Sequence, residues 1–436
     1  VHIAIDDTDS PLGMCTTFIG ALVAYRLSRK YDPIDLSYLI RLNPNIPFKT
    51  RGNAAISMHF KIPEEDVEEI FYYVKNLVEK MASKHGKTQP AVALIVGENS
   101  KLRMFYKKAL SDVIPLSYAL KFAQKIREDN KTLISGRRGL VGALAALGAY
   151  PLKSCTYELL FYRPIIIRSS SRKLDDQLIF AIDRKYRSQV FANIDYEKKR
   201  ILVAPHGPDP VLLGIRGFSY GTLLKIAEEI YSKINCSFWF IYKTNQGLGL
   251  HTFIYKKINT IRPYQSVRVI GKVEQKPVIM KGGHVFLRIA DETGSLAVAF
   301  FKDTGFLNRV ARLLSGGDLI EVAGGIQPPS DSTPITLNAE LLRVIKTSPK
   351  LKYKYPTCPR CGHKLESAGR NKGLKCKKCG FRTKEVALLV EKTPRILEPG
   401  LYIQSPRAYR HLSVTDRLIV YKGLLPPTCQ KIGKEQ

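Results

Sequence analysis

The chain has 436 residues, with 69 lysines and arginines against 38 aspartates and glutamates, for a formal charge of +31. That length exceeds one ordinary core and implies roughly two to four domains, while the positive excess points to nucleic acid or an anionic surface as partner. No apolar run is long enough to span a bilayer, which argues against an integral membrane protein. The first residues read as a strand and not as a charged-then-apolar leader, so a cytoplasmic protein is expected.

The chain opens on His2-Ile3-Ala4-Ile5, an apolar strand that runs into Asp6-Asp7-Thr8-Asp9-Ser10 and then Gly13-Met14-Cys15-Thr16-Thr17. In α/β proteins, ligands sit at the carboxyl ends of strands. Carboxylates this close repel one another unless a cation lies among them, and Mg²⁺ arriving with a nucleotide phosphate meets that need. Thr16 and Thr17 stand where a helix over Thr16–Lys30 begins; there a hydroxyl can cap free N–H groups and the helix end can attract phosphate. An acidic turn followed by an ordinary cap would have the same composition.

Asp35–Leu42 and Ile56–Ile62 read as strands. Between them lies Lys49-Thr50-Arg51-Gly52-Asn53, where Lys49 and Arg51 flank a glycine within reach of phosphates. Glu64–His85 and Pro115–Glu128 have helical periodicity, and Ala91–Val96 that of a strand. Ile134-Ser135-Gly136-Arg137-Arg138-Gly139 then opens an Ala/Leu-rich helix running to Gly148. This suits both a phosphate-holding helix N-terminus and a small-residue helix packed tightly on a sheet.

Strands are expected at Tyr157–Tyr162, Ile165–Ile167, Ile201–Ala204 and Phe238–Tyr242, with a helix at Tyr220–Lys233. The turn-rich Pro205–Gly217 carries His206, Asp209 and Arg216 together, and a Gly-rich loop leads to His251. Loops of this kind often carry function.

From about Tyr264 the texture becomes five short β runs ending at Val344, as in an OB-fold barrel of the sort that binds single strands through basic and aromatic faces. Phe286, Phe300 and Phe301 are candidates for stacking on bases.

Cysteines 15, 155, 236 and 429 are scattered, whereas Cys358, Cys361, Cys376 and Cys379 form two CxxC knuckles. Four thiolates at this spacing make a closed tetrahedral Zn²⁺ site, hence structural. Arg360, Lys377 and Lys378 on the knuckles, and Arg407, Tyr409, Arg410 and His411 in the tail, suit contacts to nucleic acid. Val386–Val390 and Gly400–Ile403 are expected to close a small sheet with the ribbon.

In this order, the acidic triplet, the Cys15-Thr16-Thr17 turn, Lys49–Ala55, Gly139–Gly148, Pro205–Gly217, Thr244–His251, the five-stranded barrel, the paired knuckles and Pro406–Leu412 resemble archaeal tRNA(Ile) 2-agmatinylcytidine synthetases. The resemblance covers nearly the whole chain. It implies a multidomain α+β protein. A kinase-like N-terminal α/β domain (1–62 with about 130–195) would interleave with a ferredoxin-like domain (63–130 with about 196–258), followed by an OB-fold (264–346) and a zinc ribbon with tail (350–436).

It also implies ATP-dependent attachment of agmatine to the wobble cytidine of the isoleucine tRNA with a CAU anticodon. Asp6, Asp7 and Asp9 would handle Mg²⁺–ATP, and Thr16 would be a site of self-phosphorylation. Lys49, Arg51, Gly136, Arg137, Arg138 and Gly139 are then expected at ATP, and His206, Asp209 and Arg216 at agmatine or the base. Asp183 and Asp195 are further acids for a dicationic amine. The competing expectation is a non-catalytic single-strand binder built on the barrel and the ribbon, in which the acidic cluster is structural.

Overall fold

The computed structural model describes residues 1–49, 52–164, 172–386 and 388–421. Thr50 and Arg51, and the expected strand Ile165–Ile167, lie outside them.

The first half runs β1 (His2–Asp6), α1 (Thr16–Ser28), β2 (Tyr38–Arg41), β3 (Ala54–His59), α2 (Val67–Met81), β4 (Ala91–Ile95), α3 (Ser100–Ser111), α4 (Leu116–Asp129), β5 (Thr132–Gly136) and α5 (Leu140–Gly148). The second continues with β6 (Thr156–Tyr162), α6 (Asp176–Lys185), β7 (Val190–Phe191), β8 (Ile194–Asp195), β9 (Arg200–Ile201), β10 (Val211–Gly217), α7 (Tyr220–Tyr231) and β11 (Phe238–Thr244).

One nine-stranded sheet joins them in the order β5-β4-β1-β3-β2-β11-β6-β10-β7. Every pairing in it is antiparallel except the joint between β2 and β11, where Tyr38 and Leu39 face Lys243 and Thr244. The strands of each half thus stay together, so the interleaved division expected from the sequence is not how the sheet is built. The helix α5, the last element of the first half, packs back on β1, β3 and β4.

Strand alternation assigns the faces. Ile3 and Ile5 meet Phe18 and Ile19 of α1 and Val74 of α2 on one side. Ala4 meets Leu102 of α3 and Ala143 of α5 on the other. Small residues let α5 lie close: a methyl added at Gly139 would stand 2.8 Å from the Asp6 carbonyl, and one at Gly142 would overlap the Asp6 carboxylate. Of the two expectations for Gly139–Gly148, tight packing is the one realised along the whole helix.

The barrel is formed by β12 (Ser266–Val273), β13 (Val278–Ile279), β14 (Val285–Asp291), β15 (Gly294–Phe300), α8 (Phe306–Ala311), β16 (Leu319–Gln327) and β17 (Thr336–Lys346). Pairing of β12 with β14 and of β15 with β17 closes it. Phe300 is fully buried in its core, whereas Phe301 is 38 % exposed against His284.

The ribbon comprises β18 (Lys350–Lys354), β19 (Glu366–Ser367), β20 (Leu374–Lys375), β21 (Arg382–Thr383) and β22 (Leu389–Thr393). Contrary to expectation, the next strand, β23 (Gly400–Ile403), adds to β17 of the barrel and not to the ribbon. Its residues pair with Leu341–Val344 of the long apolar strand β17, while β22 pairs with β18.

From β23 a strap leads back over the second half of the sheet. Gly247 and Gly249 donate to the carbonyls of His411 and Leu412. Arg407 binds Asp195 and Glu197, and Arg417 binds Asp183. At its centre Glu340 of β17 is buried, taking the Ser413 hydroxyl at 2.6 Å and facing His251 Nε2 at 3.1 Å. Burial by itself would push the Glu340 carboxyl up, but His251, Arg410 and Ser413 outweigh it and hold it down at about 2, from an ordinary 4.5.

A depressed carboxylate contributes stability above its unfolded pKa and loses it as pH falls through the folded one. Wild type should therefore lose about 3 kcal/mol relative to Glu340→Gln between pH 4.5 and 2. Urea midpoints across that range would measure the difference.

Candidate active site

A cavity of about 690 Å³ opens above the joint of the two halves, well within the size range of small-ligand sites. Asp6, Asp7 and Asp9 reach it from the end of β1, Thr16 from the start of α1, and Arg138 and Gly139 from the turn before α5. Lys49 closes one side, and His206, Asp209 and Arg216 come from the second half. Residues drawn from six separate stretches of sequence thus meet in one space.

The acidic end is tightly built. Asp7 sits at φ 55°, a left-handed conformation that Asp and Asn tolerate better than most residues. Its carboxylate takes the Arg138 guanidinium at 2.8 Å and the Gln89 N–H at 3.2 Å. Burial raises the pKa of Asp7, and Arg138 opposes the rise. Asp6 is pushed up further, by burial first and then by the charge of Asp7. A carboxyl whose charged form is disfavoured by burial and a neighbouring anion is one that a bound cation would stabilise. The donor set of Asp6, Asp7 and Asp9 therefore fits a hard, oxygen-seeking ion such as Mg²⁺. Thr16 is 5 % exposed, and its hydroxyl accepts from Thr8 at 3.0 Å.

Two residues that carried no motif complete the centre. Glu158 on β6 is 2 % exposed and is held by Arg216 at 3.2 Å, by Arg41 at 3.6 Å and by Gln246. Arg41, on β2, also donates to the Gly52 carbonyl at 2.8 Å. This cluster bridges the two halves directly above their parallel joint. The wall opposite is shaped by Arg172, which donates to the carbonyls of Pro205, Gly207, Asp209 and Val211 and so fixes the loop bearing His206 and Asp209.

Other expectations are placed elsewhere. Gly136, at φ 100°, ends β5 against the backbone of Pro90 and Ala91, and neither it nor Arg137 lines the cavity. Arg51 lies outside the described residues. Asp183 and Asp195 are taken by Arg417 and Arg407, so neither is an open acid for an amine. His251 is buried on Glu340, away from the cavity.

In the tail, Arg407 is spent on carboxylates, Tyr409 is hydrogen-bonded to Asp416, and Arg410 is bound to Asn45. His411 is a wall of the cavity, its Nδ1 2.8 Å from Gln246 Oε1. On the ribbon, Arg360 lies over the Phe381 ring, Lys377 pairs with Glu366, and Lys378 is exposed.

The four ribbon cysteines bring their sulfurs within 4.8 Å of one another, with Cys358–Cys379 and Cys361–Cys376 each at 3.5 Å. Tetrahedral zinc thiolates have S···S edges of about 3.8 Å, so the set fits zinc and leaves no fifth position. The ribbon's apolar core is little more than Leu365, Leu374 and two of these cysteines, so the metal must supply most of its folding energy, on the order of 10 kcal/mol. Cys376→Ser should therefore unfold the ribbon. Zinc content should fall to near zero and tRNA affinity by more than about tenfold (about 1.4 kcal/mol), with thermal unfolding of the nine-stranded sheet unchanged by circular dichroism.

An extended α/β platform with a carboxylate-rich cavity, joined to a nucleic-acid-binding barrel and a zinc ribbon, defines the class: a multidomain nucleotide-dependent enzyme that works on RNA. Comparison with known proteins narrows this. Residues 2–133 match the TiaS TCKD domain model, 137–251 the TiaS FLD domain, 267–345 an OB-fold nucleic acid binding domain and 355–396 the TiaS C-terminal zinc ribbon.

The isoleucine-tRNA 2-agmatinylcytidine synthetase TiaS of Thermofilum pendens is 45 % identical over 99 % of this chain and 97 % of its own length. That of Pyrococcus horikoshii is 44 % identical over 95 % and 96 %. The crystal structure of a complex of TiaS with its isoleucine tRNA and ATP matches with TM-score 0.81 at 35 % identity, covering 94 % of this chain and 95 % of that one. A complex of TiaS with the same tRNA, AMPCPP and agmatine matches at 0.78 and 32 % identity, covering 95 % and 96 %. The chain belongs to the TiaS family of isoleucine-tRNA 2-agmatinylcytidine synthetases.

Proposed function

We propose that this protein joins agmatine to C2 of the wobble cytidine in the isoleucine tRNA with a CAU anticodon, using ATP. The reading is supported by the convergence, over one joint between two half-sheets, of the β1 carboxylates, Thr16, Arg138 and the Arg41–Glu158–Arg216 cluster, and by the tRNA, ATP and agmatine held in the related complexes.

The oxygen at C2 of cytosine is a poor leaving group. Transfer of a phosphoryl group from ATP to that oxygen makes it a good one. The amine nitrogen of agmatine then attacks C2, the C2–O bond breaks with its electrons on phosphate, and the amine gives up its proton. The RNA gains agmatine less one water; the phosphoryl transfer leaves ADP, and a water molecule that cleaves its remaining phosphoanhydride bond gives AMP, so that AMP and two phosphates are the nucleotide products.

Asp6, Asp7 and Asp9 would hold Mg²⁺, which supplies charge neutralisation on the phosphates when bound. Arg138 fixes Asp7, and Lys49 adds a cation on the opposite side of the cavity. Thr16 lines the same cavity and is the site of self-phosphorylation. Asp209 and Arg216, with His206, form the side that receives base and amine. A wobble base splayed out of its loop suits a pocket of this depth. The ribbon, through Arg360, Lys377 and Lys378, grips the tRNA. No helix among the described residues is long and apolar enough to cross a membrane, and substrates such as tRNA and ATP suit work in the cytoplasm.

The test is mass spectrometry of the minor isoleucine tRNA transcript after incubation with protein, ATP, Mg²⁺ and agmatine, omitting each in turn. A mass gain of agmatine less water on the anticodon cytidine, dependent on ATP and agmatine, is expected. Tight binding of unmodified RNA would instead favour the non-catalytic binder.

A further inference from the structure

A second, smaller cavity of about 300 Å³ adjoins the main one and shares Arg41, Lys49, Gly52, Asn53 and His411 with it. Arg410 completes its basic lining, and no carboxylate is among the described residues that form it. The acids that balance these cations stand behind them. Glu158 lies 3.6 Å from Arg41, and Glu340 lies 3.8 Å from Arg410. Each of the three cations is also tied at its back or flank, Arg41 to the Gly52 carbonyl, Arg410 to Asn45 and Lys49 to the Ile46 carbonyl at 3.0 Å, and the His411 ring is held by Gln246. The Arg41 Nε is buried without a partner among the described residues.

We propose that this annex is a phosphate-binding subsite in which Arg41, Lys49 and Arg410 converge on one tetrahedral oxyanion, with the neutral His411 ring as a wall. Three fixed cations around a space of this size repel one another when it holds only water. Burial and the charge of Arg410 lower the Lys49 pKa. Burial and the charges of Arg41 and Arg216 hold His411 well below its usual range. An oxyanion relieves all of these at once, and a phosphate can accept from several N–H groups in parallel, as guanidinium forks favour.

The annex opens into the main cavity and lies across it from the acidic end that would hold the metal. Its occupant is therefore either phosphate released from the nucleotide or a backbone phosphate of the RNA beside the target base. The inference rests on the proposed reading for that choice of sources, but its test does not use agmatine transfer, so the two can fail separately.

Inorganic phosphate is titrated into the full, zinc-loaded chain without RNA or nucleotide, and binding is followed by calorimetry and ³¹P line broadening. Lys49→Met is the clean variant, because among the described residues the Lys49 amine is hydrogen-bonded to one carbonyl, that of Ile46. Arg410→Met is the second, and Arg26→Met, on the outer face of α1, is the control. Both Lys49→Met and Arg410→Met should weaken phosphate binding at least about tenfold, with the control unchanged.

The affinity of each protein for the anticodon stem-loop, with and without phosphate, separates the sources. Phosphate that leaves RNA affinity untouched marks the released product, and phosphate that competes with RNA marks the backbone. Phosphate binding equal in wild type and both variants, or absent in wild type, would overturn the subsite.

Discussion

Replacing Asp7 by Asn is expected to lower the rate of nucleotide turnover at least about a hundredfold, roughly 2.7 kcal/mol of barrier, while the dissociation constant for tRNA changes less than about threefold. The change removes one negative charge and little else. Asn accepts the positive φ of Asp7, and its amide oxygen can still take the Gln89 N–H, so the turn after β1 should keep its shape. What is lost is the charge that holds Arg138 and, with Asp6 and Asp9, would hold the metal. The barrel and ribbon lie on other parts of the chain. Single-turnover kinetics beside a filter-binding isotherm would separate the two quantities. Equal loss of both would mean that Asp7 is a structural residue. Loss of neither would return the acidic cluster to an ordinary turn.

The second large effect is expected from the smallest change. Gly142→Ala adds one methyl to α5, and that methyl overlaps the Asp6 carboxylate. The neighbouring backbone cannot yield, because the following residues from Ala143 to Gly148 are buried against β1, β3 and α3, and packed interiors transmit such strain. Either Asp6 must rotate away or the helix must lift from the sheet. Activity should fall at least about a hundredfold, and stability by about 1–3 kcal/mol, the usual cost of overpacking. Chemical denaturation would read the second quantity. A crystal structure of the variant would show whether Asp6 or the helix had moved. Full activity would mean that Asp6 takes no part in the chemistry.

These two sites also mark where sequence reasoning succeeded and where it stopped. Asp6, Asp7 and Asp9 were legible because an apolar run ending in acids has few structural uses. The helix at 140–148 was legible as both a packer and a glycine-led turn. The barrel strands and the zinc knuckles followed from alternation and spacing.

Arg41 and Glu158 were not legible. Each is a single charged residue in a strand of ordinary composition, and the two are brought together only when β2, β11 and β6 align, more than a hundred residues apart in sequence. The helix α3 went unread because lysines and arginines are interspersed among its apolar residues. The basic tail misled for a related reason. Composition marks Arg407, Arg410 and His411 as positive, but their partners, Asp195, Asn45 and Gln246, are set by tertiary contact. The expected exchange of strands between two domains failed because it was inferred from the family and not from any register in the sequence.

The strap that carries His411 has a consequence for synthesis. The ribosome makes the acidic end of the cavity first and the His411 wall only about four hundred residues later. At 5–20 residues per second, roughly, that interval is tens of seconds, during which the N-terminal strands are folded but the cavity stands open on the side of Arg41 and Gln246. A chain still being translated therefore lacks the closed pocket. Catalytic competence arrives with the strap, and a chain truncated before residue 411 would bind RNA through its barrel and ribbon without finishing the chemistry.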